Sequence, residues 1–125
     1  MKILIASRDR ILASTIVDMT QNHAFCATSH GDAALTLQHA KLHQPDVVFI
    51  DLELDRSGSI VLLSQFKQEA RTTPLVVAIV RDMTREDSTR LLDAGFDWVL
   101  KHPLNAMDVL SVMGAARVLS AGRKA

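Results

Sequence analysis

The sequence predicts an α/β fold, a single doubly wound sheet of five parallel strands alternating with five helices. Three observations carry that prediction. Two runs, Val47-Val48-Phe49-Ile50 and Leu75 to Val80, are continuously apolar and rich in β-branched residues, with no polar alternation to mark a solvent-facing side. Strands of that kind are covered on both faces, as in parallel sheets. Segments with hydrophobic residues at helical spacing lie between the apolar runs, and a parallel crossover needs a connection of that kind, packing back right-handedly. Finally, 125 residues make one domain, long enough to bury a core and too short for two.

Taken in order, Lys2 to Ala6 is a short apolar run that stops at Ser7-Arg8-Asp9. Beyond it Ile11, Leu12, Ile16, Val17 and Met19 follow helical spacing, so a strand leads into a helix with Asp9 as its candidate cap. Ala24 to Thr28 reads as a second, weaker strand, and Gly31 to about Leu42 as a helix carrying Ala33, Ala34, Leu37 and Ala40. Pro45 to Asp51 is the third strand, entered through the turn chemistry of Gln44-Pro45. Each of its apolar side chains contributes roughly 1.5 to 3 kcal/mol on burial. It ends at Asp51, and open parallel sheets collect ligands and chemistry at the carboxyl ends of their strands.

Leu52 to Ser57 is polar and reads as loop; Ile60, Leu62, Leu63 and Phe66 mark a third helix that Thr72-Thr73-Pro74 ends. Leu75 to Val80 is the fourth strand. Thr84 with Asp87 resembles a capping pair for a fourth helix, which Gly95 closes. Trp98, Val99 and Leu100 make a short fifth strand, and Asn105 caps a last helix carrying Ala106, Val109, Leu110, Met113 and Val118. Ser120 to Ala125 is small and basic, either a frayed end or the start of a linker.

Composition narrows the function classes. Lys plus Arg equals Asp plus Glu at 14 each, so no net field draws in nucleic acid or an anionic membrane. The single cysteine, Cys26, forms no intrachain disulfide and sits among apolar neighbours as a small hydrophobe. With no leader pattern and no apolar run near the roughly 18 residues a membrane helix needs, the cytoplasm is the expected compartment. His23, His30, His39 and His43 fall at helix ends without metal-ligand spacing.

The order and spacing of these segments resemble the receiver domain of bacterial response regulators over nearly the whole chain. Met1 to Ala6 resembles the family's first strand, Gly31-Asp32-Ala33-Ala34-Leu35 the start of its second helix, and Pro45 to Asp51 its third strand. Thr73-Pro74 resembles the approach to its fourth strand, and Ala94-Gly95 through Pro103-Leu104 its fifth. The resemblance implies a flavodoxin-like (βα)5 domain over residues 1–119, strand order 2-1-3-4-5, with 120–125 as a flexible tail or linker start. It also implies a regulated signalling module in a two-component phosphorelay, not an enzyme.

In the family, the aspartate ending the third strand accepts a phosphoryl group from a partner's histidine, and Asp51 matches that position. Two acidic residues after the first strand hold magnesium, a hydroxyl ending the fourth strand meets the phosphoryl group, and a lysine before proline after the fifth strand pairs with it. Magnesium wants about six oxygens in near-octahedral order to neutralise the gathered charge. Here the acidic pair aligns with Ser7 and Arg8, and the hydroxyl with Ile79. A unit charge 5 Å from a divalent ion costs on the order of 6 kcal/mol at an effective dielectric near 20, so an inward Arg8 weakens any magnesium site.

Two registers compete for the lysine position. Anchoring on Gly95 and Pro103 gives His102, the favoured choice; counting from Ile79 gives Lys101 and places Trp98 at the family's aromatic position. Adjacent strand residues face opposite sides, so one of the two faces Asp51. A histidine there would be a cation only as pH falls towards 6.5, whereas Lys101 would stay charged. Asp55, where the family often has proline, and Gly58, one place early, affect loop shape more than chemistry.

The leading reading is a degenerate receiver that acts by protein binding without ordinary aspartyl phosphorylation, Asp51 forming a buried ion pair with Arg8 and no cofactor being held. The runner-up is a phosphorylatable receiver whose weak magnesium site is rebuilt from Asp9, Asp51 and the Glu53 carbonyl. A third reading, a flavin carrier or small enzyme on the same sheet, needs a phosphate cradle after the first strand, where Ser7-Arg8-Asp9-Arg10 offers one hydroxyl and no glycine. The implied partners are a histidine kinase or other signalling protein, a second copy of the chain, or a C-terminal output domain, with no membrane or direct nucleic-acid contact. By the same likeness the fourth helix, fifth strand and fifth helix form the partner surface, with Trp98, Met107 and Val112 as its candidate residues.

Overall fold

Burial on both faces explains why the apolar runs become adjacent parallel strands. In the computed structural model, which describes residues 2–7, 9–20, 38, 42, 44–52, 63–64, 74–81 and 85–124, four strands form one sheet. They are β1 (Ile3–Ala6), β2 (Val47–Asp51), β3 (Leu75–Val80) and β4 (Trp98–Lys101), in the order β1-β2-β3-β4. All three pairings are parallel. These are the strands read from the sequence as first, third, fourth and fifth. The strand expected at Ala24–Thr28 and the helix expected from Gly31 lie outside the described residues, apart from Gln38 and Leu42.

The register aligns side chains in rows across the sheet. Ile5 pairs with Phe49, Phe49 with Val77 and Val77 with Trp98; two rows on, Asp51 pairs with Ile79 and Ile79 with Leu100. The odd rows pack beneath two helices, α1 (Arg10–Thr20) and α3 (Ala106–Lys124). Leu12, Ala13 and Ile16 of α1 and Val109, Val112, Met113 and Ala116 of α3 close over Ile3, Phe49, Val77 and Ile79. The opposite face, built from Leu4, Val48, Ile50, Val76 and Val80, packs against Leu63 and against Leu91 of α2 (Arg85–Ala94), with Phe96 just beyond it.

Chain termini of the helices follow the expected chemistry. Asn105 Oδ1 accepts the Met107 N–H at 2.8 Å, the N-cap read from the sequence. Helix α2 ends in a Schellman motif: Phe96 N–H donates to Leu91 O and Gly95 N–H to Leu92 O, with Gly95 at φ 120°, a conformation that side chains with a Cβ rarely adopt. Leu91 and Phe96 are both buried, giving that motif its hydrophobic contact.

Four details differ from the sequence reading. Leu52, in the turn that follows β2, is buried in the second core, and its N–H donates to Ile79 O at 3.1 Å. The last strand extends one residue further, to Lys101. Helix α3 runs on to Lys124, because Ser120 to Lys124 contains no proline and mostly good helix formers, so the helix continues where a tail was expected. Val112, expected on a partner surface, is fully buried in the first core, since it shares a helical face with Val109, Met113 and Ala116.

Candidate functional site

The carboxyl ends of β1, β2 and β3 meet at one edge of the sheet, and the chemistry-bearing residues gather there. Asp51, the last residue of β2, is 3% exposed, and Ser7, the first residue past β1, is 2% exposed. The Ser7 hydroxyl donates to Asp51 Oδ2 at 2.9 Å. The same hydroxyl oxygen accepts the Asp9 N–H at 3.0 Å. A single side chain therefore joins the end of β2 to the turn that opens α1.

Asp9 completes that turn. Its Oδ1 accepts the N–H groups of Ile11 at 3.0 Å and Leu12 at 3.1 Å, satisfying two of the helix's orphan donors. Its Oδ2 accepts from the Arg81 guanidinium at 3.0 Å. The Leu12 N–H first, and the Arg81 hydrogen bond next, hold the Asp9 carboxyl below the usual carboxylate range against a partial opposing effect of burial. Asp9 is thus the helix cap that the sequence suggested, with its remaining oxygen taken by an arginine that the sequence did not single out.

The other candidates divide by register. Ile79 is the direct cross-strand partner of Asp51 and is buried, so a hydrocarbon occupies that neighbouring position. Lys101 pairs with Val80, one row beyond Asp51 and Ile79, and its side chain is exposed. Alternation along a strand puts that row on the opposite face from Asp51. His102, half-buried, has the parity of the Asp51 row, and its N–H donates to Val80 O at 2.7 Å. Arg8 and Glu53 lie outside the described residues. Of the surface candidates, Met107 is exposed, while Trp98 is half-buried and packed on the first core.

Three of the carboxylate oxygens here already accept hydrogen bonds. Asp51 Oδ2 receives the Ser7 hydrogen, and both Asp9 oxygens are engaged by backbone N–H groups and Arg81. Among the described residues no three His, Cys, Asp or Glu side chains are grouped so as to hold a metal ion. None of the described helices is long and apolar enough to cross a membrane.

Arg81 escaped the sequence reading because its signal is spatial. It directly follows Val80, so it leaves the sheet at the same edge as Asp51. A cation placed immediately after a buried parallel strand is the feature that would have drawn attention to it.

No family model matches the sequence, and no curated protein matches it. Solved structures do. The Francisella response regulator 1452 receiver domain superposes with a TM-score of 0.76 at 22% identity, over 93% of this chain and 96% of that one. The signal receiver domain of a LuxO repressor protein from Vibrio parahaemolyticus gives 0.79 at 17% identity, over 98% and 92%. The fold is that of a receiver domain. NtrX from Brucella abortus, solved with ADP, gives a TM-score of 0.80 at 20% identity; this chain is covered over 98% of its length but spans only 28% of NtrX. Within the receiver fold, Asp51 stands at the carboxyl edge of the sheet, where it is joined to the residues that follow β1.

Proposed function

We propose that this chain is an atypical receiver module of a two-component signalling protein, one that acts through protein–protein contacts and does not depend on magnesium-assisted phosphorylation of Asp51. The observation that carries this reading is the buried Ser7–Asp51 hydrogen bond beside an Asp9 whose two oxygens both accept hydrogen bonds. Magnesium needs about six oxygens, and a receiver normally supplies several from an acidic pair. Here a hydroxyl donates into the acceptor carboxylate and Asp9 is held by a helix and a guanidinium. Ile79 offers no hydroxyl to a phosphoryl oxygen, and His102, on the Asp51 side by parity, is the candidate for the lysine position.

Partners in this reading are a histidine kinase or another signalling protein, a second copy, or an output domain in a longer chain, within the cytoplasm. The test is intact mass after incubation with acetyl phosphate, with and without magnesium, beside Asp51→Asn. No phosphoryl gain in either condition is expected. A magnesium-dependent gain that is absent in Asp51→Asn would establish the conventional, phosphorylated receiver instead.

A further inference from the structure

We propose that Arg81 is a tethered counter-charge at the carboxyl edge of the sheet, and that its guanidinium competes with any divalent cation for Asp9. The inference rests on the receiver reading of this site and names the group that closes it to metal.

The strand order carries the argument. Asp9 follows β1, Arg81 follows β3, and β2 lies between them, ending in Asp51. The 3.0 Å contact between Arg81 and Asp9 therefore reaches across two strand spacings, each about 4.8 Å, past the end of the strand that carries Asp51. Only a long side chain can make that span. The side chains are 42% and 30% exposed, so the pair sits at the rim, where an ion from solvent would arrive first.

Chemistry points the same way. Asp9 Oδ1 is committed to Ile11 and Leu12, which leaves Oδ2 as the oxygen through which Asp9 could meet a cation, and Arg81 holds that oxygen. A metal ion at that oxygen would have to displace the guanidinium or sit beside its charge. Arginine also remains charged at every physiological pH, so this counter-charge is permanent. The fixed cation further repels an incoming divalent ion. At about 6 Å, in a water-like dielectric of about 80, one unit charge changes divalent affinity roughly tenfold.

Manganese titration of the purified full chain tests the proposal, with free ion read by water-proton relaxation and folding checked by circular dichroism. Arg81→Gln should bind Mn2+ at least about tenfold more tightly than wild type, while Arg81→Lys, which keeps the charge, should stay within about threefold. Asp9→Asn added to Arg81→Gln should abolish the gain. Equal affinity in wild type and Arg81→Gln would overturn the inference, as would a gain that survives Asp9→Asn. Either failure leaves the proposed function standing, because that reading is decided separately by phosphoryl mass gain on the wild-type chain.

Discussion

Ser7→Ala isolates the bond on which the site reading turns. Ser7 and Asp51 are 2% and 3% exposed, so water cannot readily replace the lost donor. A hydrogen bond to a charged group contributes about 1.5 to 3 kcal/mol. The same substitution removes the acceptor of the Asp9 N–H, at 3.0 Å, which stands nearer to solvent and adds less. A net loss of about 2 kcal/mol follows, a large fraction of the 5 to 15 kcal/mol typical of a folded domain. With an unfolding entropy of roughly 2.1 cal/mol/K per residue over 125 residues, the melting temperature should fall by about 8 °C.

Urea denaturation followed by the fluorescence of Trp98, the one tryptophan, and by circular dichroism measures the change directly. A double-mutant cycle with Asp51→Asn separates the bond from generic packing. With a neutral acceptor the Ser7→Ala cost should drop to about 1 kcal/mol. A cost below about 0.5 kcal/mol, or the same cost in both backgrounds, would show that the Ser7 hydroxyl does not stabilise this edge through Asp51.

Two further outcomes follow from the fold. Val112→Lys places a charge in a position with no exposure and should abolish cooperative unfolding, whereas Met107→Lys, at 71% exposure, should leave stability within about 0.5 kcal/mol; equal effects would contradict the assigned face of α3. Asp9 has a lowered native pKa, so its contribution is complete above the ordinary carboxylate value of about 3.9 and disappears as pH falls through the lowered native value. Stability should therefore decline more steeply below about pH 4 in wild type than in Asp9→Asn, and parallel acid profiles would refute the link.

Elements buried on both faces were legible because nothing competes with their signal. Val47 to Ile50 and Leu75 to Val80 have no polar residue to mislead the reading, and both are central strands of the described sheet. Asp9, Asn105 and Gly95 were legible as helix punctuation because capping acts within a few residues. Pairing over distance was not. Ser7 and Asp51 are 44 residues apart, and their bond depends on the register of β1 against β2. The Asp9–Arg81 pair needs the register of three strands. Helix α3 was ambiguous for another reason: Met107, Leu110 and Val118 are exposed while Val109, Val112, Met113 and Ala116 are buried. Apolar residues on more than one side of a helix do not reveal which side faces the core.

On the proposed reading, the serine at position 7 and the arginine at position 81 are two parts of one electrostatic solution. A carboxylate at position 7 would face Asp51 at hydrogen-bond distance, and two such buried anions cannot both stay ionised without a cation between them. Serine avoids that repulsion and donates a hydrogen bond to Asp51 Oδ2. Asp9, displaced one residue beyond the acidic pair of the resembled family, caps α1 and receives its counter-charge from Arg81. On the proposed reading, Ser7 stabilises the Asp51 carboxylate and Arg81 that of Asp9, so neither anion depends on a divalent cation for its counter-charge.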